Sequence, residues 1–287
     1  MMQTITFECE VVTPMFLTGA DGSTPELRSP SIKGALRFWW RAMNGHLLLN
    51  EMREREALIF GSAEYGRSKV IIRVSEDMKW DSRTKASPTP HKPRFQKNAF
   101  REGQPFSVTL SLFKNDKFSY KEMMNLFLLT ATLGGIGGRV RRGFGAFNIK
   151  RVIENGKILD LEQPKTINEI AKLLPDYYFT TIKNKIVSRN QRDNDYPYIK
   201  EIEIGSPNAE IIRKIGFTTH DVKGMDSYAY ENSLGHASKG RFASPVYVSV
   251  IKKDRGLRPI ITSLNTVNDK GRRVDYEMQH IFKGKIL

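Results

Sequence analysis

The first 160 residues alternate between hydrophobic patterns of period two and period 3.6, in an order that few folds share. Residues 3–12 place Ile5, Phe7, Cys9 and Val11 on one side, as in a half-buried strand. Further strands are predicted at residues 69–74, 104–113 and 143–153, and helices at residues 29–45, 51–60 and 120–133. The resulting order is strand, helix, strand, strand, helix, strand, which is typical of a ferredoxin-like split βαβ unit and of RNA-recognition modules.

Local signals set the ends of these elements. Ser29 or Ser31 can cap the first helix, Pro30 suits its first turn and Gly45 suits its exit. The last predicted strand of this unit ends at an Asn155-Gly156 pair, which favours a tight hairpin turn.

The second half predicts another αβ unit. Its helices are expected at residues 166–176, 207–215 and 271–282, its strands at residues 198–204 and 245–251, and an exposed basic loop at residues 184–197. We therefore predict an α+β protein with two ferredoxin-like (RRM-like) domains, residues 1–160 and 161–287.

A long basic insertion separates the two middle strands of the first unit. It covers residues 76–103 and contains the proline-rich sequence ASPTPHKPRFQKNAF. Loops of this length are usually functional or disordered. We expect an extended, mobile arm that contacts nucleic acid, with Arg94 as one contact; a merely solvated loop is the alternative.

The net charge of the chain is +15 at pH 7, and its pI is about 9.8. Such a charge favours an anionic partner, nucleic acid or a membrane surface, although solubility or heat tolerance could also explain it. The charge is concentrated: residues 82–101 contain six Lys or Arg and no acid, and residues 134–151 contain five and no acid. This unevenness favours a binding surface.

Several classes of protein are disfavoured. Cys9 is the one cysteine, which excludes an internal disulfide and a cysteine-cluster metal site, and no metal or cofactor is predicted. No apolar run reaches about 18 residues, and the N-terminus lacks a signal pattern, so a cytoplasmic protein is expected. A peripheral membrane protein is a weaker alternative, because the first helix needs its apolar face for the core.

The sequence GGIGGRVRRGFGAF, residues 134–147, has six glycines and three arginines in its first twelve positions. Dinucleotide folds and P-loops place their glycines between a strand and a following helix, whereas here a helix precedes and a strand follows. We expect free backbone amides along a polyanion, with Arg139, Arg141 and Arg142 supplying charge. The candidate RNA-binding glycines are Gly134, Gly135, Gly137, Gly138 and Gly143. The alternative is that such glycines serve backbone geometry alone, at a helix C-cap and a bulged strand entry.

The first helix offers a second basic surface. Lys33, Arg37 and Arg41 follow one another at spacings of four and form a stripe beside the apolar face. This stripe is either a phosphate track or a solvated face. Trp39 is predicted in the core, whereas Trp40 lies at the boundary and could stack on a base or cover a sheet edge.

Three motifs together identify a family resemblance. With PELRSPSIKGALRFWWRA near the start, the glycine-rich loop, and RFASPVYVSV in the second half, the chain resembles the RAMP superfamily. More narrowly, it resembles the first RAMP subunits of Cmr effector complexes, the type III-B CRISPR–Cas machinery of antiviral defence.

The resemblance implies two ferredoxin-like domains. It implies as partners CRISPR guide RNA, target single-stranded RNA and other Cmr subunits, with contacts near the 3′ side of the guide. It also implies a non-catalytic subunit, with Arg241 and Ser244 as further RNA neighbours.

A metal-independent endoribonuclease is the rival hypothesis, because RAMP relatives that process guide RNA cut it with a general acid or base such as histidine. Among the five histidines, His236 is the best candidate, since Lys239 and Arg241 are close in sequence. An RNA-contacting or merely exposed histidine explains it equally well. No HExxH or paired-carboxylate spacing accompanies it.

Overall fold

The structure, a computed structural model, describes residues 2–75, 84–114, 116–189, 195–237, 240–253, 256–267 and 274–287. It is a mixed α/β protein with antiparallel sheets, as expected. The strands are β1 Met2–Val11, β2 Val70–Val74, β3 Lys85–Ala86, β4 Lys97–Asn98, β5 Pro105–Phe113, β6 Phe147–Glu154, β7 Lys157–Leu159, β8 Phe179–Ile182, β9 Lys185–Ser188, β10 Ile199–Ile204, β11 Val246–Lys253 and β12 Gly256–Leu264. The helices are α1 Ser29–Met43, α2 Leu49–Phe60, α3 Tyr120–Leu133, α4 Ile167–Ala171, α5 Ile211–Met225, α6 Ser227–Leu234 and α7 Tyr276–Ile286.

The first sheet, called sheet 1 below, has the strand order β2-β5-β1-β6-β7 and is antiparallel throughout. Phe7 lies in register with Val108 on one side and Val152 on the other, so the alternating apolar residues of neighbouring strands meet on one face. The ring of Phe7 stacks on Phe127 of α3 at 4.2 Å. The opposite face carries hydroxyl pairs, such as Thr6 with Thr109 at 2.9 Å between their oxygens.

The second sheet, sheet 2, has the order β11-β12-β10-β9-β8. Val248 and Ile261 pack with Phe282 of α7 in one apolar cluster. On the other face, Tyr247 lies 5.1 Å from Trp39 of α1, and the Ser249 hydroxyl donates a hydrogen bond to the Thr132 carbonyl of α3. The protein therefore has four layers: sheet 1, then α1 and α3, then sheet 2, then α5, α6 and α7.

The helix α3 lies between the two sheets, and its sequence suits that place. A capping box begins it, in which the Ser119 hydroxyl accepts from the Glu122 amide and the Glu122 carboxylate accepts from the Ser119 amide. Residues 126–133 are all buried, so apolar side chains occur on every side of the helix.

Some predicted boundaries are wrong. Neither Ser29 nor Ser31 caps α1, because the chain is already helical at Ser29 and Arg28 is the N-cap residue. Pro30 does lie in the first turn, as predicted. The strand after the glycine-rich loop begins at Phe147, since the residues before it are held by hydrogen bonds to other parts of the chain. The predicted basic loop at residues 184–197 contains β9, and its residues 190–194 lie outside the described residues.

The basic insertion is not an extended arm over its described part. Residues 84–100, called the hairpin arm below, form a short hairpin in which Lys85 pairs with Asn98. Phe100 is buried and exchanges backbone hydrogen bonds with Met15, and Pro90 lies against Gly216 of α5. Residues 76–83 lie outside the described residues.

The largest apolar cluster joins the two halves of the chain. It contains Ile5 and Trp39 from the first half and Ile202 and Leu264 from the second. The domain boundary between residues 160 and 161 stays a prediction, and the two halves share a core across it.

Two glycines test the packing of α1. Gly45 follows the C-cap of α1, and a Cβ there would lie 2.5 Å from the Tyr178 hydroxyl and 2.5 Å from Tyr198 Cβ. We expect Gly45→Ala to lower the free energy of unfolding by about 1–3 kcal/mol, because buried side chains must shift to admit the methyl group. Gly34, inside α1, has nothing within 4 Å of such a Cβ, so Gly34→Ala should raise stability by about 0.5–1 kcal/mol. Urea unfolding of both variants measures this difference, and equal effects would contradict the packing described.

Candidate nucleic-acid interface

The glycine-rich loop is hydrogen-bonded back into the fold. The amide of Gly138 donates to the Phe16 carbonyl at 2.6 Å, that of Gly143 to Val248 at 2.8 Å, and that of Gly145 to Pro14 at 3.0 Å. The prediction of free amides along a polyanion is therefore wrong at these positions. In sequence the loop joins α3 to β6. Through its hydrogen bonds it also links β11 of sheet 2 to the segment that follows β1.

Close packing explains the glycines. A Cβ on Gly137 would lie 2.5 Å from the Phe16 carbonyl oxygen, and one on Gly135 would lie 2.7 Å from the Gly145 carbonyl oxygen. A Cβ on Gly134 would overlap Trp39 Nε1. Gly143 has a φ of +82°, which glycine adopts without strain. The geometric alternative thus accounts for these residues.

Arg141 and Arg142 are held by carbonyl oxygens and aromatic rings. Arg141 donates to the Ser244 carbonyl, and its guanidinium carbon lies 5.1 Å from the centre of the Phe38 ring. Arg142 donates to the carbonyls of Val246 and Leu234, both at 3.2 Å. Burial is the main cause that lowers the pKa of Arg141, although an arginine stays charged at neutral pH.

Arg139 differs from these two, because it is exposed and has a φ of +62°. Its Nε donates to the Pro88 carbonyl at 2.8 Å, which connects the loop to the hairpin arm. In the described part of the chain, none of the three loop arginines forms an ion pair with a carboxylate. Within the residues that the structure describes, their positive charges therefore have no carboxylate partner.

The fold brings these arginines to a segment about 100 residues further along the chain. They line a cleft of about 370 Å³ together with His236 and Ser244, called the arginine cleft below. None of the described residues that line it is Asp or Glu. Arg241 is exposed in the same segment, and Lys239 lies outside the described residues.

The two residues from the second half have structural bonds of their own. His236 exchanges backbone hydrogen bonds with Phe242, both at 3.0 Å, so the segment turns back at the cleft. The hydroxyl of Ser244 is buried and donates to the Val246 carbonyl at 2.9 Å. Ser244 therefore shapes the cleft, and its hydroxyl hydrogen is already used.

The basic stripe of α1 is a different case. Arg37 donates to the Glu56 carboxylate at 2.8 Å, and Arg41 donates to the same oxygen. Since Glu56 is buried in α2, these two arginines join α1 to α2. Both side chains are partly exposed, and a contact of theirs with phosphate stays a prediction. Lys33 forms no such pair among the described residues and lines a cleft of about 480 Å³ with Arg37 and Ser62. Burial first, and then the charge of Arg37, lower the pKa of Lys33.

The prediction that Trp40 could stack on a base is wrong. Its side chain is buried and meets the Phe60 ring edge-on at 6.5 Å. Trp39 is buried in the core, as predicted. Arg94 is exposed on the hairpin arm, where an RNA contact stays a prediction.

A second cleft lies on the other side of the glycine-rich loop. This lysine groove, about 720 Å³ in volume, is lined by Lys85 and Lys97 of the hairpin arm and by Gly138. The two lysines belong to no motif, so their only signal in the sequence is the absence of acid around them.

The described residues contain no group of three or more His, Cys, Asp or Glu side chains that could hold a metal ion. Within the same residues, no helix is both long and apolar enough to cross a membrane.

The closest pair of histidine rings described is His91 with His220, whose centres are 4.8 Å apart. Burial first, and then the charge of His220, lower the pKa of His91. Taken together, the arginine cleft and the lysine groove offer positive charge and hydrogen-bond donors to an anion.

The chain is similar in sequence to known proteins. A model of the RAMP superfamily matches residues 8–148. The CRISPR system Cmr subunit Cmr1-2 of Pyrococcus furiosus is 31% identical over an alignment of 184 positions, which covers 52% of this chain and 96% of that protein. The Cmr subunit Cmr1-1 of the same organism is 41% identical over 73 residues, 24% of this chain and 21% of that protein.

Solved structures show the same fold. The crystal structure of apo Cmr1 from Pyrococcus furiosus has a TM-score of 0.60 and 18% identity, with 98% of this chain and 96% of that chain covered. A chain in the cryo-EM structure of the type III-B Cmr-beta complex bound to cognate target RNA has a TM-score of 0.63 and 13% identity, with both chains covered completely. The fold is thus that of a RAMP protein. The chain covers 96% of Cmr1-2 at 31% identity. It therefore belongs to the RAMP superfamily, in the family of Cmr1 subunits of CRISPR Cmr systems.

The ion pairs of Glu56 can be tested separately from RNA binding. We expect Glu56→Gln to lower the free energy of unfolding by about 1–3 kcal/mol, because two arginines then face each other without a counter-charge. This is less than the cost of breaking a fully buried pair, since both arginines are partly in water. The control is Glu51→Gln in the same helix, whose partner Arg55 is exposed, with an expected effect of about 0.5 kcal/mol or less. Urea unfolding compares the two variants, and equal effects would show that the Glu56 pairs do not stabilise α1 on α2.

Proposed function

We propose that this chain is a non-catalytic RNA-binding subunit of a Cmr-type, type III-B CRISPR ribonucleoprotein. Its partners are CRISPR guide RNA, target single-stranded RNA and other Cmr subunits, with RNA contacts near the 3′ side of the guide. Membership of the Cmr1 family supports this proposal, as does the likeness to a chain of a Cmr complex bound to target RNA.

The arginine cleft is the observation that carries the proposal. Arg139, Arg141 and Arg142 place three positive charges at a cleft without acidic residues among its described lining. Because Arg141 and Arg142 are fixed by carbonyls and rings, they cannot turn away to find a carboxylate. A phosphate chain supplies the missing negative charge and binds without base specificity.

We further propose that the two sheets correspond to two ferredoxin-like domains, residues 1–160 and 161–287. The order β2-β5-β1-β6 of sheet 1 is the order expected when a strand, helix, strand, strand, helix, strand unit folds into one antiparallel sheet. In sheet 2, β11, β12 and β10 follow the same order, and β9 lies where the fourth strand would be. That fourth strand precedes the unit in sequence instead of ending it.

The metal-independent endoribonuclease is kept as a second candidate because His236 lines the arginine cleft. A general acid or base beside fixed positive charges could act on a phosphodiester. The histidine pair His91–His220 is not part of the cleft lining, although the charge of Arg139 is one cause that lowers the pKa of His91.

Removal of charge from the cleft tests RNA binding. We expect Arg139→Gln, alone and with Arg241→Gln, to weaken binding of single-stranded RNA. The log–log salt slope should fall by about 0.7 for each phosphate that the variant no longer neutralises. Both side chains are exposed, so the fold should persist. The matched control is Arg151→Gln on the outer face of sheet 1, which removes an arginine paired with Glu8. Binding that is insensitive to Arg139→Gln, or equally sensitive to Arg151→Gln, would contradict the site.

Catalysis is tested with the same protein. Labelled single-stranded RNA incubated with the purified chain in EDTA should be retained without cleavage products, because we assign no residue to a catalytic step. Cleavage that persists in EDTA and disappears in His236→Ala would instead establish the endoribonuclease. Cleavage that survives this substitution would point to a contaminating nuclease.

A further inference from the structure

We propose that Phe95 stacks on an unpaired RNA base while Lys85 and Lys97 bind the phosphates beside it in the lysine groove. This inference rests on the proposed RNA-binding function and adds a second contact, on the far side of the glycine-rich loop from the arginine cleft. It specifies single-stranded RNA, because a base inside a duplex offers no free face to an aromatic ring.

The exposure of Phe95 has no explanation in the fold. Half of its surface, 51%, is open to solvent, and it lies in the segment that connects β3 to β4 in the hairpin arm. The Lys97 ammonium is 5.8 Å from the centre of its ring. An exposed aromatic ring accompanied by a cation is the arrangement with which proteins bind single strands, since each base has a face that stacks and each nucleotide has a charge.

Hydrogen bonds within the hairpin arm hold the backbone that carries Phe95. The Lys92 amide donates to the Thr89 carbonyl at 2.7 Å, and the Phe95 amide donates to the Lys92 carbonyl at 3.0 Å. The Ser87 hydroxyl contacts the carbonyls of Thr89 and Lys92, at 2.9 and 3.2 Å. This short segment also contains three prolines, which limit its backbone freedom. The entropy cost of ordering this backbone on binding is therefore reduced.

The base of the arm is attached on both sides of the groove. The Asn98 side-chain amide donates to the Ser23 carbonyl at 3.1 Å, and Arg139 donates to Pro88. These bonds place the lysine groove next to Gly138, one residue before Arg139. Gly138 lines the lysine groove and Arg139 lines the arginine cleft, so a bound RNA strand that crosses the loop at this point can contact both.

The groove is lined by groups that suit a phosphate chain. Besides the two lysines, the described lining consists of glycines, two apolar residues and the polar residues Thr18, Ser23, Ser31, Gln96 and Asn98, without a carboxylate. Within the described part of the chain, neither Lys85 nor Lys97 forms an ion pair with an acid. The ammonium groups are thus available to an anion.

The surroundings of Phe95 favour RNA over a protein partner. Lys92, Arg94 and Lys97 are exposed around it, and residues 84–101 contain no acid. The buried centre of a protein interface is depleted of charged residues and especially of lysine. A ring among cations fits a polyanion that carries stacking bases.

The experiment uses the full chain with Phe95→Leu, which keeps an apolar side chain but removes the aromatic face, and with Phe95→Trp, which keeps it. Fluorescence anisotropy with a labelled single-stranded RNA gives the Kd at several salt concentrations. We expect Phe95→Leu to raise the Kd about 10-fold, within the range for removal of one base stack, with an unchanged salt slope. Phe95→Trp should bind as tightly as the unmodified chain or more tightly. Phe217→Leu on α5 is the matched control, because Phe217 is also exposed beside an arginine but lies on another element.

A second readout separates stacking from charge. Lys85→Gln with Lys97→Gln should lower the salt slope by about 1.4, since two phosphates are then no longer neutralised, whereas Phe95→Leu should leave it unchanged. With 2-aminopurine in the RNA, stacking on Phe95 should quench its fluorescence on binding, and this quenching should disappear in Phe95→Leu.

The outcomes are distinguishable. If the unmodified chain fails to bind RNA, the proposed function itself is wrong. If Arg139→Gln weakens RNA binding while Phe95→Leu binds as the unmodified chain does, the proposed function stands and this inference is overturned. A Phe95→Leu variant that binds RNA normally but fails to join the other Cmr subunits would assign the ring to a protein contact, which also overturns it.

Discussion

The packing of sheet 2 onto α1 and α3 determines where the candidate site lies. Trp39 and Tyr247 meet across this layer, and the Ser249 hydroxyl is bonded to α3. Because α3 ends at this interface, the chain must leave it between the two sheets, and the glycine-rich loop begins there. Its contact with Val248 at the edge of β11 fixes Arg141 and Arg142 against the second half. The arginine cleft is thus a product of how the layers stack.

The layer arrangement also explains which elements could be predicted from sequence. Sheet 1 has one face toward the core and one toward solvent, so β1 and β5 alternate clearly and were predicted correctly. Sheet 2 is covered on both faces, and burial on both faces removes alternation. The strand β12 was missed because it lacks that alternation and contains Pro259, which argues against a central strand. The short strands β8 and β9 were missed because they lie among polar and turn residues.

At the candidate site, the sequence indicates which types of residue are present, but not which of them contact one another in the folded chain. The helical spacing of Arg37 and Arg41 is visible in the sequence, but Glu56 lies on another helix, and only the folded chain shows that both arginines pair with it. The sequence shows that the loop is rich in glycine, but only the structure shows that neighbouring backbone and Trp39 leave no room there for a Cβ. The arginines of the loop and the segment around His236 were chosen separately, and the structure places them at one cleft. Long-range pairing of this kind leaves no local periodicity.

The outer face of sheet 1 has a consequence for how such a protein can evolve new contacts. RNA-recognition modules read bases with aromatic residues on the open face of the sheet. Here the central positions of that face hold the pairs Thr4–Ser111, Thr6–Thr109 and Glu8–Arg151, which satisfy one another. A surface whose polar groups are already matched gains little from a nucleotide. Recognition is then left to the connecting segments, which can lengthen or change charge without disturbing the strand register beneath them.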